Sequence, residues 1–346
     1  MEKVPSGDTY TEWHDGKQRT RMKYRGQGFV GYELNLVLKA GVEVEYSLLA
    51  REVDGSLRPA DERDTSALPC YDARGLTTAL DHLTTVSRHM DAMGWGNYAN
   101  DHEDANGQFE QNFGYSDALT TSDRLIILRL MLHTLARQRD LYTTFMPKPF
   151  ADKTGNGLHT HLSLWSADTD DPLFHDEDDP RGLGLSELAY QFTAGILDHA
   201  AGLTAVVCPT VNSFKRIGVG PPDSGATWAP AYICYGDNNR SAMVRIPYGR
   251  LEFRLPDSGC NPYLVTAAII AAGMDGIERE LDPGEPMNLN LYSLTLDQIK
   301  ESLADQPLVQ ARMLQTLASV MVKAGLYKAA FEPQAMALAI RISKLG

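Results

Sequence analysis

The chain has 346 residues, 43% hydrophobic and 22% charged, the make-up of a globular protein with enough length for one large core or two ordinary ones. A formal net charge of −13 excludes attraction to polyanions, so neither nucleic acid nor a membrane surface is an expected partner. MEKVPSGDTY lacks the basic-then-apolar pattern of a leader, no apolar run is long enough for a bilayer, and Cys70, Cys208, Cys234 and Cys260 are scattered, so a cytoplasmic chain with reduced thiols is expected, without a disulfide framework or zinc cluster.

The first 35 residues show no sustained periodicity and read as a poorly structured N-terminal segment, with one domain from 36 to 346. Alternation begins at Leu36 and runs to Leu49; within it, Val42-Glu-Val-Glu-Tyr46 reads as a strand with two carboxylates on one face. A helix is expected over Leu76 to Met93, and another after Thr121-Ser-Asp, a hydroxyl cap before Leu125-Ile-Ile-Leu128. Gly157 to Trp165 alternates and reads as a strand. The acidic stretch Ser166 to Gly184, with two prolines, reads as a solvated surface excursion. A helix follows from Leu185 to Ala201, opened by Ser186, and strands are expected at Ala242 to Pro247 and Arg250 to Pro256 around a Tyr-Gly turn. Asn261-Pro262 starts an alanine-rich helix reaching Gly276, and the tail from Leu291 reads as two or three amphipathic helices. Strands and helices mix without a strand-helix-strand rhythm, which favours an α+β fold with a mainly antiparallel sheet.

Ionisable residues recur at a spacing of two: Glu43 and Glu45, His159 and His161, and Arg250, Glu252 and Arg254. Glu103 and Glu110 share the segment His102-Glu-Asp-Ala-Asn-Gly-Gln-Phe-Glu110. Any one pair is explained by a wet sheet face. Together, five carboxylates and a histidine need a cationic partner, because buried unpaired carboxylates cost several kcal/mol. Oxygen ligands with one imidazole suit Mg²⁺ or Mn²⁺ better than zinc. Arg240, Arg245, Arg250 and Arg254 add guanidinium forks, which match phosphate and carboxylate; surface ion pairing is the alternative. Neither GxxxxGK[ST] nor GxGxxG is present, so no P-loop or Rossmann site supplies phosphate binding. Cations, arginines and a polyanionic nucleotide together fit carboxylate activation by phosphoryl transfer.

These segments, together with Phe145-Met-Pro-Lys-Pro149, Gly155-Asn-Gly-Leu-His-Thr-His-Leu-Ser163, Asn212-Ser-Phe-Lys-Arg216, Asn239-Arg-Ser-Ala242, Arg245-Ile-Pro247, Arg250-Leu-Glu-Phe-Arg-Leu-Pro-Asp257 and Asn261-Pro-Tyr-Leu264, resemble the catalytic domain of glutamine synthetase, in that family's order, over residues 40 to 295. The resemblance implies a curved, mainly antiparallel sheet with flanking helices, and ATP-dependent joining of an amine to the side-chain carboxylate of glutamate. It implies that Glu45, Glu103 and Glu110 hold one metal and that Glu43, His159 and Glu252 hold a second. His161 and Ser163 would line the nucleotide site. Arg240, Arg245 and Arg250 would bind phosphates, with Arg240 catalytic, and Gly155, Arg216 and Arg254 would bind glutamate.

Three departures modify that expectation. Gly220 to Pro230 is longer than the family's Gly-Tyr-Glu-Ala-Pro, and Trp228 stands at the position of a proton-accepting Glu. Either Asp223 takes over as the catalytic carboxylate or the amine site is reshaped. This loop and Cys70-Tyr-Asp-Ala-Arg-Gly75 resemble the branch that includes γ-glutamylmethylamide synthetases, which implies methylamine beside ammonia as a substrate. The family's N-terminal β-grasp domain has no counterpart before Val42 and is expected to be missing, and the C-terminal helices after Leu291 diverge from the family pattern. A homo-oligomeric ring is the family's assembly. Open alternatives are γ-glutamylation of a larger amine or polyamine, and a non-catalytic or truncated member that binds nucleotide or assembles with full-length subunits.

Overall fold

The computed structural model describes residues 8–14, 17–25, 31–34, 36–217, 228–230, 232–291, 295–302, 304, 307–323 and 325–345. Strands β1 (Asp8–His14), β2 (Lys17–Arg25) and β3 (Gly31–Leu34) pair antiparallel in that order as a small sheet. Regular pairing therefore exists where the sequence shows no periodicity. The Thr, Tyr and Trp content of Asp8–His14 favours extended backbone without needing an apolar face.

Strand β4 (Leu36–Arg51) is the axis of the main sheet. Its alternation is strict: Leu38, Ala40, Val42, Val44, Tyr46 and Leu48 are buried on one face, while Glu43, Glu45 and Ser47 share the other. A short β5 (Leu57–Pro59) folds back on its end. The expected helix over Leu76 to Met93 is two helices, α1 (Ala73–Thr78) and α2 (Leu80–Ala92). Asp72 caps the first, and the break falls at Ala79 (φ −112°, ψ 12°). Apolar spacing cannot reveal this break, because Leu76, Leu83, Val86 and Met90 keep helical intervals across it.

Strands β6 (Asn97–His102) and β7 (Gln108–Phe113) form a hairpin whose acidic and carboxamide residues hide its alternation. After β8 (Ser116–Asp117), helix α3 (Ala118–Arg137) begins earlier than expected. Asp117 caps it, accepting from Thr120 N at 3.0 Å. Thr121 lies inside the helix, buried, and its Oγ1 donates to Ala40 O at 2.7 Å. Strands β9 (Tyr142–Thr144) and β10 (Leu158–Ser166) follow. The excursion expected over Ser166 to Gly184 carries exposed acids, but Phe174 is fully buried against Phe192, and the Asp179 carboxylate accepts from Leu183 N, Leu185 N and Tyr190 Oη.

Helices α4 (Glu187–Asp198), capped by Ser186, and α5 (Ala200–Val207) lead through a 3₁₀ turn (Ser213–Lys215) to β11 (Tyr232–Asp237), β12 (Ala242–Ile246) and β13 (Leu251–Phe253). Tyr248 and Gly249, both at positive φ, make the expected Tyr-Gly turn. Helix α6 (Pro262–Glu278) is capped by Asn261 Oδ1, which accepts from Tyr263 N and Leu264 N. The tail forms α7 (Leu296–Ser302), α8 (Pro307–Lys323) and α9 (Tyr327–Leu345).

The main sheet runs β11-β12-β13-β10-β4-β7-β6, with β5, β8 and β9 also paired to β4. Among the described residues only β11 and β12 pair in parallel, so the expected mainly antiparallel α+β sheet is what forms. Side chains of α2 to α6 join the apolar face of the sheet in one core, while Tyr232, Cys234, Met287, Ile299 and Leu314 seat the C-terminal helices beside β11 in another. Helices α4 and α6 touch backbone to backbone. A Cβ on Gly195 would lie 2.1 Å from Ala272 O, and one on Gly276 would lie 2.2 Å from Gln191 O. With helices on the apolar face, the polar face of the central strands remains open. Among the described residues, no helix is long and apolar enough to cross a membrane.

Candidate active site

Strand register assembles the site. Across β4 and β7, Glu45 lies opposite Glu110; across β4 and β10, Glu43 lies opposite His159; across β10 and β13, His161 lies opposite Glu252; across β12 and β13, Arg245 lies opposite Glu252. A period of two keeps every one of these side chains on the face that the helices leave open.

Hydrogen bonds knit the row together. Glu43 takes His159 Nδ1 at 3.0 Å on one oxygen and His161 Nε2 at 2.8 Å on the other. Arg250 Nε donates to His161 Nδ1 at 3.2 Å, which makes Nε2–H the donor toward Glu43. Burial acts to raise the pKa of Glu43, but the two imidazoles outweigh it and hold the carboxyl well below its usual range. Glu252 is fully buried. Burial again opposes ionisation, yet Arg254, then His159 and His161, hold its carboxyl low. Its oxygens accept from Arg245 Nη1 at 2.6 Å and from Arg254 Nη1. Glu45 accepts from Gly157 N at 2.7 Å and Gln108 Nε2 at 3.1 Å.

Glu103 and Glu110 behave oppositely. Burial first, then the charges of Glu45 and Asp104 around Glu103 and of Glu103 and Glu43 around Glu110, push both carboxyls well above their usual range. Among the described residues neither Glu103 nor Glu110 has an arginine partner of the kind that Glu252 has. On this sheet face, among the described residues, two donor triads have ligand atoms within 4.8 Å of one another: Glu43, Glu110 and His159, and Glu43, His161 and Glu252. Both differ from the groupings that the resemblance implies, and Glu43 is common to them. Hard oxygens, one imidazole per triad and repulsion awaiting a cation fit Mg²⁺ or Mn²⁺.

The open face ends in a cavity of about 270 Å³. Glu43, Glu45, Glu103, Glu110 and His159 line its acidic side, while Arg216, Arg240, Arg245 and Arg254 bring positive charge and Gly155 supplies bare backbone. A Cβ at Gly155 would sit 2.1 Å from Pro147 O and 3.2 Å from Arg216 Cγ, so any other residue would close this approach. Arg216 is buried and donates to Leu255 O and Arg254 O. Glu252 is fully buried and paired to Arg245 and Arg254, two of the lining arginines. His161 and Ser163 sit farther along the polar face of β10, where Ser163 Oγ accepts from Trp165 Nε1 at 2.8 Å. Trp228 lines the cavity, with its carbonyl 3.5 Å from Arg254 Nη2. Asp223 lies outside the described residues.

The cavity has further lining residues to which no motif in the sequence assigns a role. Cys70, Tyr71, Tyr98, Asp101 and Asp104 also face the cavity, and burial lifts the Asp104 carboxyl to about 6. The acidic run Asp101-His-Glu-Asp104 was the available signal, but nothing in one sequence says which of those acids turns inward.

Comparison with known proteins supplies the context for this geometry. A family model described as glutamine synthetase, catalytic domain, matches residues 20–334. A glutamate–methylamine ligase of Methyloversatilis universalis is 53% identical over 259 residues, covering 75% of this chain and 58% of that protein. A glutamine synthetase of Rhizobium leguminosarum bv. phaseoli is 44% identical over 259 residues, with the same coverages of 75% and 58%. A solved structure described as a GmaS/ADP complex superposes with a TM-score of 0.71 at 47% identity, covering 89% of this chain and 69% of that one. This chain thus spans about 58% of the length of the curated relatives it matches.

Proposed function

This chain belongs to the glutamine synthetase family, and we propose that it is an ATP-dependent glutamate–amine ligase. The observation that carries this reading is the register that lines up Glu110, Glu45, Glu43, His159 and Glu252 on one sheet face beside four arginines.

In this reading Glu43, Glu45, Glu103, Glu110, His159 and Glu252 would hold Mg²⁺ or Mn²⁺. Such ions, when bound, supply charge neutralisation to the nucleotide phosphates. Arg240, Arg245 and Arg250 direct guanidinium N–H groups at phosphate oxygens, and His161 and Ser163 line the nucleotide end. Arg216, Arg254 and the Gly155 backbone orient glutamate. Its side-chain carboxylate oxygen attacks the γ-phosphorus, the bond to ADP breaks, and an acyl phosphate forms. The amine nitrogen then attacks the acyl carbon, phosphate leaves, and the nitrogen gives up a proton, for which Asp223 is the sequence candidate. Trp228 cannot accept that proton, but its indole offers a methyl group an apolar surface. One methyl contributes about 1–3 kcal/mol of discrimination, enough for a preference over ammonia and too little for exclusion. The name of the Methyloversatilis relative supports the same choice.

The test is phosphate release by purified protein with ATP, glutamate and Mn²⁺, adding methylamine or ammonia. Methylamine-dependent release, weaker with ammonia and lost in Glu43→Gln, is expected. Measurable ADP binding with no release under either amine would sink the ligase reading and leave a nucleotide-binding member of the family.

A further inference from the structure

Tyr71, in the loop before α1, has φ of 56°, the left-handed region that a bulky side chain rarely adopts. Asparagine or glycine would take this conformation at lower cost, so the tyrosine side chain itself needs a reason. Packing does not provide one, because the residue is 55% exposed. Its backbone is nevertheless held: Tyr71 N donates to His102 O at 2.9 Å, tying the loop to the end of β6 next to Glu103. From there the phenol oxygen accepts from Arg240 Nη1 at 3.0 Å, with the ring centroid 6.0 Å from the guanidinium.

The chemistry of that partner is informative. Arg245 and Arg254 are paired to the Glu252 carboxylate, which holds them and also cancels much of their charge. Arg240 is held by a neutral phenol, which fixes the direction of the guanidinium and leaves its charge available. We infer that Tyr71 is a positioning residue for Arg240, keeping the guanidinium aimed into the cavity for the transferring phosphoryl group. This inference rests on the ligase reading above.

Phosphate-release kinetics, ADP binding and thermal unfolding of Tyr71→Phe and Tyr71→Gly test it. Tyr71→Phe removes one hydrogen bond to a charged group. It should lower kcat by roughly 10-fold, with ADP affinity and the KM for glutamate changed by less than about twofold and Tm unchanged. Tyr71→Gly should lose at least as much kcat while its Tm stays level or rises, because glycine relieves the backbone. A purely structural tyrosine gives the reverse pattern, with Tm and activity falling together in Tyr71→Gly. That result, or a Tyr71→Phe enzyme with unchanged kcat, overturns the inference. An active wild type with an unaffected Tyr71→Phe removes this inference alone, whereas a wild type without turnover removes the ligase reading and this inference with it.

Discussion

Replacing Glu252 by alanine is the most direct probe of how the site is held together. The side chain is fully buried, and its two oxygens accept from Arg245, 17% exposed, and Arg254, 4% exposed. Removing the carboxylate strips the interior Arg254 of its ion-pair partner, and its Nε already has no hydrogen-bond partner among the described residues. Breaking a buried pair in this way costs about 3–5 kcal/mol, against about 1 kcal/mol for a surface pair. Arg245 is open enough to recover water, so the lower half of that range applies. At about 2–4 °C per kcal/mol, the expected loss is roughly 6–16 °C in Tm, measured without added metal. Glu252→Gln keeps the volume and an acceptor oxygen and should lose about half as much. A metal-free Glu252→Ala protein melting within about 2 °C of wild type would refute the claim that this carboxylate balances the buried arginines.

Glu110→Gln should have the opposite sign in the metal-free protein. It removes a carboxyl that burial and its acidic neighbours disfavour, so Tm should hold or rise, while the Tm gain on adding Mn²⁺ should shrink. His82 is buried beside Tyr46 with neither ring nitrogen hydrogen-bonded among the described residues, and burial lowers its pKa from 6.5 to about 4. A depressed histidine takes up its proton more readily unfolded, so its contribution is fully present above about pH 6.5 and is lost as pH falls toward 4. Urea titrations should show His82→Phe losing about 2 kcal/mol less than wild type between pH 7.5 and 5. Gly276→Ala gains up to about 1 kcal/mol of helix propensity but drives a methyl to 2.2 Å from Gln191 O. Overpacking of about 1–3 kcal/mol should win, and a Tm at or above wild type would contradict the backbone contact between α4 and α6.

Much of the architecture was legible because it depends on neighbours in sequence. The alternation of β4 and β10, the caps at Ser186 and Asn261 and the Tyr-Gly turn are all local. Failures occurred where long-range contacts outweighed local signals. Thr121 looked like a cap and is instead a buried donor to β4, and the β6–β7 hairpin has too few apolar residues to announce itself. The small sheet before residue 35 rests on propensity without periodicity.

For the site, local sequence was enough to say which residues share a strand face: Glu43 with Glu45, and His159 with His161. That follows from the period of two in extended backbone. Which of them meet across strands depends on long-range pairing. Register set Glu45 against Glu110 and Glu43 against His159, and it placed Glu252 opposite both His161 and Arg245, within reach of Glu43. Side-chain spacing along one strand constrains its face, whereas pairing between strands is fixed by the whole apolar surface packed beneath them.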